Sequence, residues 1–154
     1  MSVVQEFYQA FTRKDGDAMA HCYSSDIQFS DPVFPNLKGQ DAKDMWRMLC
    51  QRSKDLQIEF EVLEDKADRA VVIWDAYYTF VKTGRKVHNH IRAELSLRNG
   101  KIWQHRDQFS FWRWSRQALG PSGLLLGFTP VVKNKVREEA AKTLAAWQKN
   151  SKKS

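Results

Sequence analysis

The chain has 154 residues, 42% of them hydrophobic and 12% aromatic, which is enough for one domain that buries a core without disulfide or metal staples. Its net charge of +7 is uneven: residues 115 to 154 hold eight Lys or Arg against two Glu, a net of +6, so the first 114 residues carry +1. A basic excess confined to one end reads as a solvated helix face and tail, which argues against nucleic acid or a membrane surface as a partner of the body.

Val3, Val4, Phe7, Tyr8 and Phe11 recur at three- and four-residue spacing, predicting a first helix with one apolar stripe. Lys14-Asp15-Gly16-Asp17 breaks it, and Asp17 is placed to cap a second, shorter helix that runs to about Tyr23. Ile27 to Phe34 then alternates as a short strand and delivers a carboxylate, Asp31, directly before Pro32. After a loop marked by Pro32, Pro35, Asn36 and Gly39, a third helix begins at Asp41, with Ala42, Met45, Trp46, Leu49 and Cys50 on one face. Cys22 and Cys50 occupy apolar helix positions and read as buried free thiols, which suits a reducing compartment. With no basic-then-apolar leader and no apolar run of roughly 18 residues, a cytoplasmic protein is expected.

From there the period changes to two. Ile58, Phe60 and Val62 alternate with Glu59 and Glu61, and strands are predicted near residues 55 to 65, 69 to 82, 86 to 98 and 101 to 114. Ala70 to Lys82 is apolar on both parities, so this strand should be covered on both sides, one cover being a second subunit. Thr83-Gly84-Arg85 and Asn99-Gly100 are hairpin turns. In the last strand the period of two places Trp103, His105, Asp107, Phe109 and Phe111 on one face. Beyond it, Gly120-Pro121-Ser122-Gly123 breaks the chain, and the run Leu124 to Phe128 is apolar enough to plug a surface. Pro130 suits the first turn of a helix carrying Val132, Val136, Ala140, Leu144 and Trp147. Lid, dimer clasp and simple core packing all fit this extension.

Three helices around a short strand ending in Asp31-Pro32-Val33, followed by four long strands with an Asn-Gly hairpin, resemble the nuclear transport factor two-like superfamily, in particular its ketosteroid isomerase and SnoaL-like branches. The resemblance covers about residues 3 to 114. It implies an α+β fold, a cone-shaped curved antiparallel sheet packed against the N-terminal helices, occupying residues 1–115. Residues 116–154 would then form a C-terminal helical extension with a basic tail. It further implies an apolar pocket at one end and a homodimer formed through the sheet.

In the isomerase branch the aspartate before Pro-Val is the general base, a role that falls on Asp31. The oxyanion-hole positions fall on Phe7 and near Ala93, neither of which can donate a hydrogen bond, and Tyr8 is about 100° further round the helix. What remains is His105 with Asp107, two residues apart on one strand face, resembling the acid-base aspartate of the SnoaL-like cyclases. The candidate catalytic residues are therefore Asp31, His105 and Asp107, with Phe7, Tyr8, Trp46, Trp74, Tyr78, Asn89 and Trp103 lining a ligand pocket. Asp31 also suits a plain loop turn, and His105 with Asp107 a satisfied polar pair in a core.

His21, His88 and His90 read as surface or helix-end histidines, no spacing suits a metal, and neither a Gly-rich phosphate loop nor a nucleophile elbow is present. No cofactor is expected. Two classes of function fit these residues. One is a cofactor-free isomerase, cyclase or dehydratase acting on an apolar or aromatic small molecule. The other is a non-catalytic binder of such a ligand, or a protein-interaction scaffold.

Overall fold

The computed structural model describes residues 1–127 and 129–152, apart from the side chains of Leu124 and Leu125. Three helices open the chain: α1 (Val3–Thr12), α2 (Gly16–Cys22) and, after strands β1 (Tyr23–Ser30) and β2 (Leu37–Lys38), α3 (Gln40–Arg52). Ser2 caps α1 by accepting the N–H of Gln5, as a side-chain oxygen at that position does for an otherwise orphaned amide. Asp15, not Asp17, caps α2 through the N–H of Ala18 at 3.0 Å. Asp17 lies in the first turn instead, where its carboxylate favours the helix dipole and pairs with Arg47 at 2.7 Å.

Four strands follow, β3 (Gln57–Asp65), β4 (Arg69–Phe80), β5 (Arg85–Arg98) and β6 (Lys101–Gln108), all antiparallel to their neighbours. Asn99 and Gly100 both have positive φ, the conformation a two-residue primed turn demands. The sheet order is β2-β1-β6-β5-β4-β3, and β1 runs parallel to β6, so the six-stranded sheet is mixed and open. That parallel pairing brings Phe29 beside His105 and Ser30 beside Arg106, delivering the end of β1 to the middle of β6. The helices cover one sheet face. Val4, Phe7, Tyr8 and Phe11 of α1 and Ala42, Met45 and Trp46 of α3 meet Val72, Trp74, Ile91, Ala93 and Leu95 in one core. Cys22 and Cys50 are buried, free thiols within it.

Two features depart from the period-two reading of the last strand. A bulge lies where Leu97 pairs with Ile102 but Ser96 pairs with Gln104, so Ile102 enters the core and Trp103 turns out under the Arg98 guanidinium, 4.8 Å from its ring centroid. The strand also stops at Gln108. Ser110 accepts the N–H of Arg113 and caps α4 (Phe111–Leu119), in which Phe111, Trp114 and Ala118 face inward at helical spacing.

Helices α5 (Pro121–Leu126) and α6 (Pro130–Ser151) complete the chain. Pro130 occupies the first turn of α6, as its fixed φ favours, and Leu144 is the one buried residue along that helix. Val132 and Val136 pack on a second cluster of Val87, Phe111, Trp114 and Ala118, together with Val33, Tyr78 and Phe80. Phe128 and the side chains of Leu124 and Leu125 lie outside the described residues, and with them the expectation that this run plugs a surface. Leu126 is exposed. No described helix is long and apolar enough to cross a membrane.

Candidate functional site

The inward face of β6 places His105 and Asp107 side by side beneath α1 and α3, only 1% and 3% exposed. His105 is ringed by Phe7, Phe29 and Tyr23 edge-on and by Trp46 in a stack at 6.0 Å. In so apolar a setting every polar atom needs a partner, and the partners form a chain. The indole Nε1 of Trp46 donates to the Tyr23 hydroxyl oxygen at 2.8 Å, and that hydroxyl meets His105 Nδ1 at 2.6 Å. His105 Nε2 in turn lies 2.9 Å from Asp107 Oδ1, which also accepts from Trp74 Nε1 at 3.3 Å. The two indoles can only donate, so the Tyr23 and Asp107 oxygens accept from them, while the imidazole tautomer sets which of Tyr23 and His105 supplies the proton between them.

Asp31 sits just past the end of β1. Its Oδ1 accepts the N–H groups of Val33 at 2.7 Å and Phe34 at 2.6 Å, so it does turn the loop as an aspartate before proline commonly does. Burial nevertheless pushes its carboxyl up to about 7; the two amide donors and Arg137 oppose the rise, and the charge of Asp107 adds to it. Asp31 and Asp107 thus lie close enough to feel one another across the end of the sheet.

Two tyrosines complete this end. Tyr78 accepts from Trp114 Nε1 at 2.7 Å, and burial, with the charge of Asp31 behind it, pushes its hydroxyl up to about 12, against the donation from Trp114. Tyr8 is fully buried, stacks on Phe60 at 5.4 Å, and has its hydroxyl raised first by burial and next by the charge of Asp107. Among the described residues, the Tyr8 hydroxyl is the one buried side-chain polar atom without a hydrogen-bond partner. Phe7, at the position the isomerase resemblance gives to an oxyanion donor, stacks on Tyr23 at 5.2 Å.

Of the sequence-predicted residues, the structure brings Asp31, His105, Asp107, Tyr8, Phe7, Trp46, Trp74 and Tyr78 to one region. Asn89 lies further along β5, opposite Ala76, and Trp103 is turned away by the bulge. His88 Nε2 and His90 Nδ1 both approach Asp75 Oδ1 at 2.8 Å on the opposite sheet face. Tyr23, Trp114 and Arg137 are site residues that the sequence reading missed. Tyr23 carried one signal, the first position of a strand whose other inward residues are Ile27 and Phe29. Among the described residues no group of three or more His, Cys, Asp or Glu is placed to hold a metal ion.

Solved structures with this fold include a candidate polyketide cyclase from Pseudomonas putida, 17% identical, TM-score 0.66, matching 77% of this chain and 98% of its own. Another candidate polyketide cyclase, from Silicibacter sp., is 16% identical with a TM-score of 0.66 over 75% and 92% of the two chains. An LEH-like epoxide hydrolase from M. tuberculosis is 16% identical with a TM-score of 0.59 over 80% and 90%. At such identities the likeness is one of fold. No curated protein matches the chain. The family model for the SnoaL-like domain matches residues 4–105, from the first turn of α1 to His105, and the chain belongs to that SnoaL-like family.

Proposed function

We propose that this protein binds an apolar or aromatic small molecule at the end of the sheet and carries out cofactor-free acid-base chemistry of the isomerase, cyclase or dehydratase type on it. The observation that carries this reading is a carboxyl, Asp31, lifted by burial to about 7, where a group can both take and return a proton at neutral pH. Asp31 is the base. Tyr8, whose buried hydroxyl lacks a partner, donates to the substrate oxygen on which negative charge develops. His105 has both ring nitrogens engaged, so its role is to orient Asp107, whose carboxylate faces the same end as Tyr8. Chemistry on a carbon skeleton also suits the structurally similar proteins, candidate polyketide cyclases and an epoxide hydrolase.

A non-catalytic binder is the second reading, favoured by the closed hydrogen-bond chain through His105 and by the amide donors that give Asp31 a structural task. Turnover separates the two. In a screen of apolar ketones and aromatic polyketide-like compounds, Asp31→Asn should lower kcat by about 10²- to 10⁴-fold while ligand affinity stays within about threefold. Binding of such a ligand by wild type with no turnover would leave the binder reading standing. The protein also pairs with a second copy through its outer sheet face, where Val71, Ile73 and Tyr77 of β4 are buried or half-buried.

A further inference from the structure

Helix α6 lies beyond the matched family segment, yet one of its side chains reaches the candidate site. Arg137 donates Nε to the carbonyl oxygen of Pro32 at 2.9 Å, one residue after Asp31. That contact uses one of the five N–H groups of the guanidinium. Among the described residues no carboxylate lies within ion-pair distance of the others, and Asp31 commits its Oδ1 to the amides of Val33 and Phe34. One turn earlier on the same helix, Lys133 is likewise half-buried, with Nζ 5.8 Å from the centre of the Phe111 ring and no acidic partner. Like charges four residues apart repel. The nearby Asp31 carboxylate, which Arg137 favours electrostatically, is held by the amides of Val33 and Phe34 rather than paired with the guanidinium, so a second anion would further offset the half-buried Lys-Arg pair. Val132 and Val136 anchor this stretch of α6 against the cluster of Val87, Phe111, Trp114 and Ala118, on which Val33 and Tyr78 also pack, which fixes the cations over an apolar surface.

We propose that Arg137, assisted by Lys133, receives the carboxylate of the substrate, so that the ligand of this site is an apolar or aromatic acid whose skeleton lies toward Tyr78 and whose acidic group is held at the Asp31-Pro32 loop. This assignment rests on the pocket proposed above and narrows its substrate class. A planar guanidinium with free N–H pairs matches a carboxylate in two parallel hydrogen bonds, which a neutral ester cannot accept with the same strength. The extension is then a specificity element, and it supplies the charge that the family segment lacks at this end.

Calorimetric titration of wild type with 2-naphthoate and with methyl 2-naphthoate tests this. The acid should bind at least about tenfold more tightly than the ester. In Arg137→Gln that preference should vanish while affinity for the ester stays unchanged, and Arg137→Lys should keep part of it. Equal affinity of wild type for acid and ester would overturn the assignment and leave the pocket intact. An acid preference that survived in Arg137→Gln would do the same. Failure of wild type to bind either compound would overturn the pocket and the assignment together. Should Arg137→Gln not fold, the wild-type comparison of acid with ester still decides, since it needs no substitution.

Discussion

Two tyrosines on the same core illustrate how differently a hydroxyl can be used. Tyr23 accepts from Trp46 and shares a hydrogen bond with His105 Nδ1, so Tyr23→Phe strands an indole N–H and an imidazole nitrogen and should cost about 2–4 kcal/mol in denaturant unfolding. Tyr8→Phe removes a hydroxyl with no partner and should leave stability unchanged or raise it by about 1 kcal/mol. The same variant should lose turnover if Tyr8 serves the substrate. Asp31 has a pH signature. Its folded value of about 7 lies above the ordinary 3.8, so the folded state holds a proton that the unfolded state has released across that interval. Stability from this group is present below pH 4 and is lost as pH rises toward 7. Asp31→Asn keeps an oxygen for the amides of Val33 and Phe34, so its melting temperature should gain on wild type steadily between pH 4 and 7. A constant difference across that range would refute the raised carboxyl. The identities of Asp31, His105 and Asp107 as the polar residues of this region were legible from alternation and from the residue before proline. The chain that links His105 to Tyr23 was not, because its two members are 82 residues apart.

At the scale of elements, local patterns read well where one period dominates. The α1 stripe, the Asn99-Gly100 turn and Pro130 at the start of α6 all appear where apolar spacing and turn chemistry put them. The end of β6 did not, because Phe109, Phe111, Trp112 and Trp114 satisfy a strand period and a helix period at once, and the capping bond of Ser110 decides between them. The bulge at Trp103 escaped for a similar reason, since one extra residue reverses parity with no mark in the sequence. Helices α4 and α5 meet at a glycine. A Cβ on Gly123 would fall 2.0 Å from the carbonyl oxygen of Ser115, a backbone atom that cannot swing aside. Gly123→Ala should therefore destabilise by about 2 kcal/mol or more despite its better helix propensity. A melting temperature equal to wild type would show that the two helices are not in such close contact.

For the molecule as a whole, α6 joins the main cluster through Leu144, 4% exposed, with Trp147 packed beside it, and the second cluster through Val132 and Val136. Leu144→Ala should cost about 2–4 kcal/mol, whereas Val131→Ala, at a position 77% exposed, should stay within about 0.5 kcal/mol. If α6 were a loosely attached strap, both would be silent. Light scattering at micromolar concentration should give twice the 18.0 kDa chain mass, and Ile73→Asp on the outer sheet face should halve it. The interior hydrogen-bond chain has an optical consequence as well. It begins and ends in indoles, with the N–H of Trp74 directed at Asp107 and that of Trp46 at Tyr23. The excited state of an indole shifts in energy with the electric field along its ring, so the charge on Asp107 tunes the emission colour of Trp74. A ligand that reached this end of the sheet and altered that field should therefore shift the ultraviolet fluorescence of the unlabelled protein.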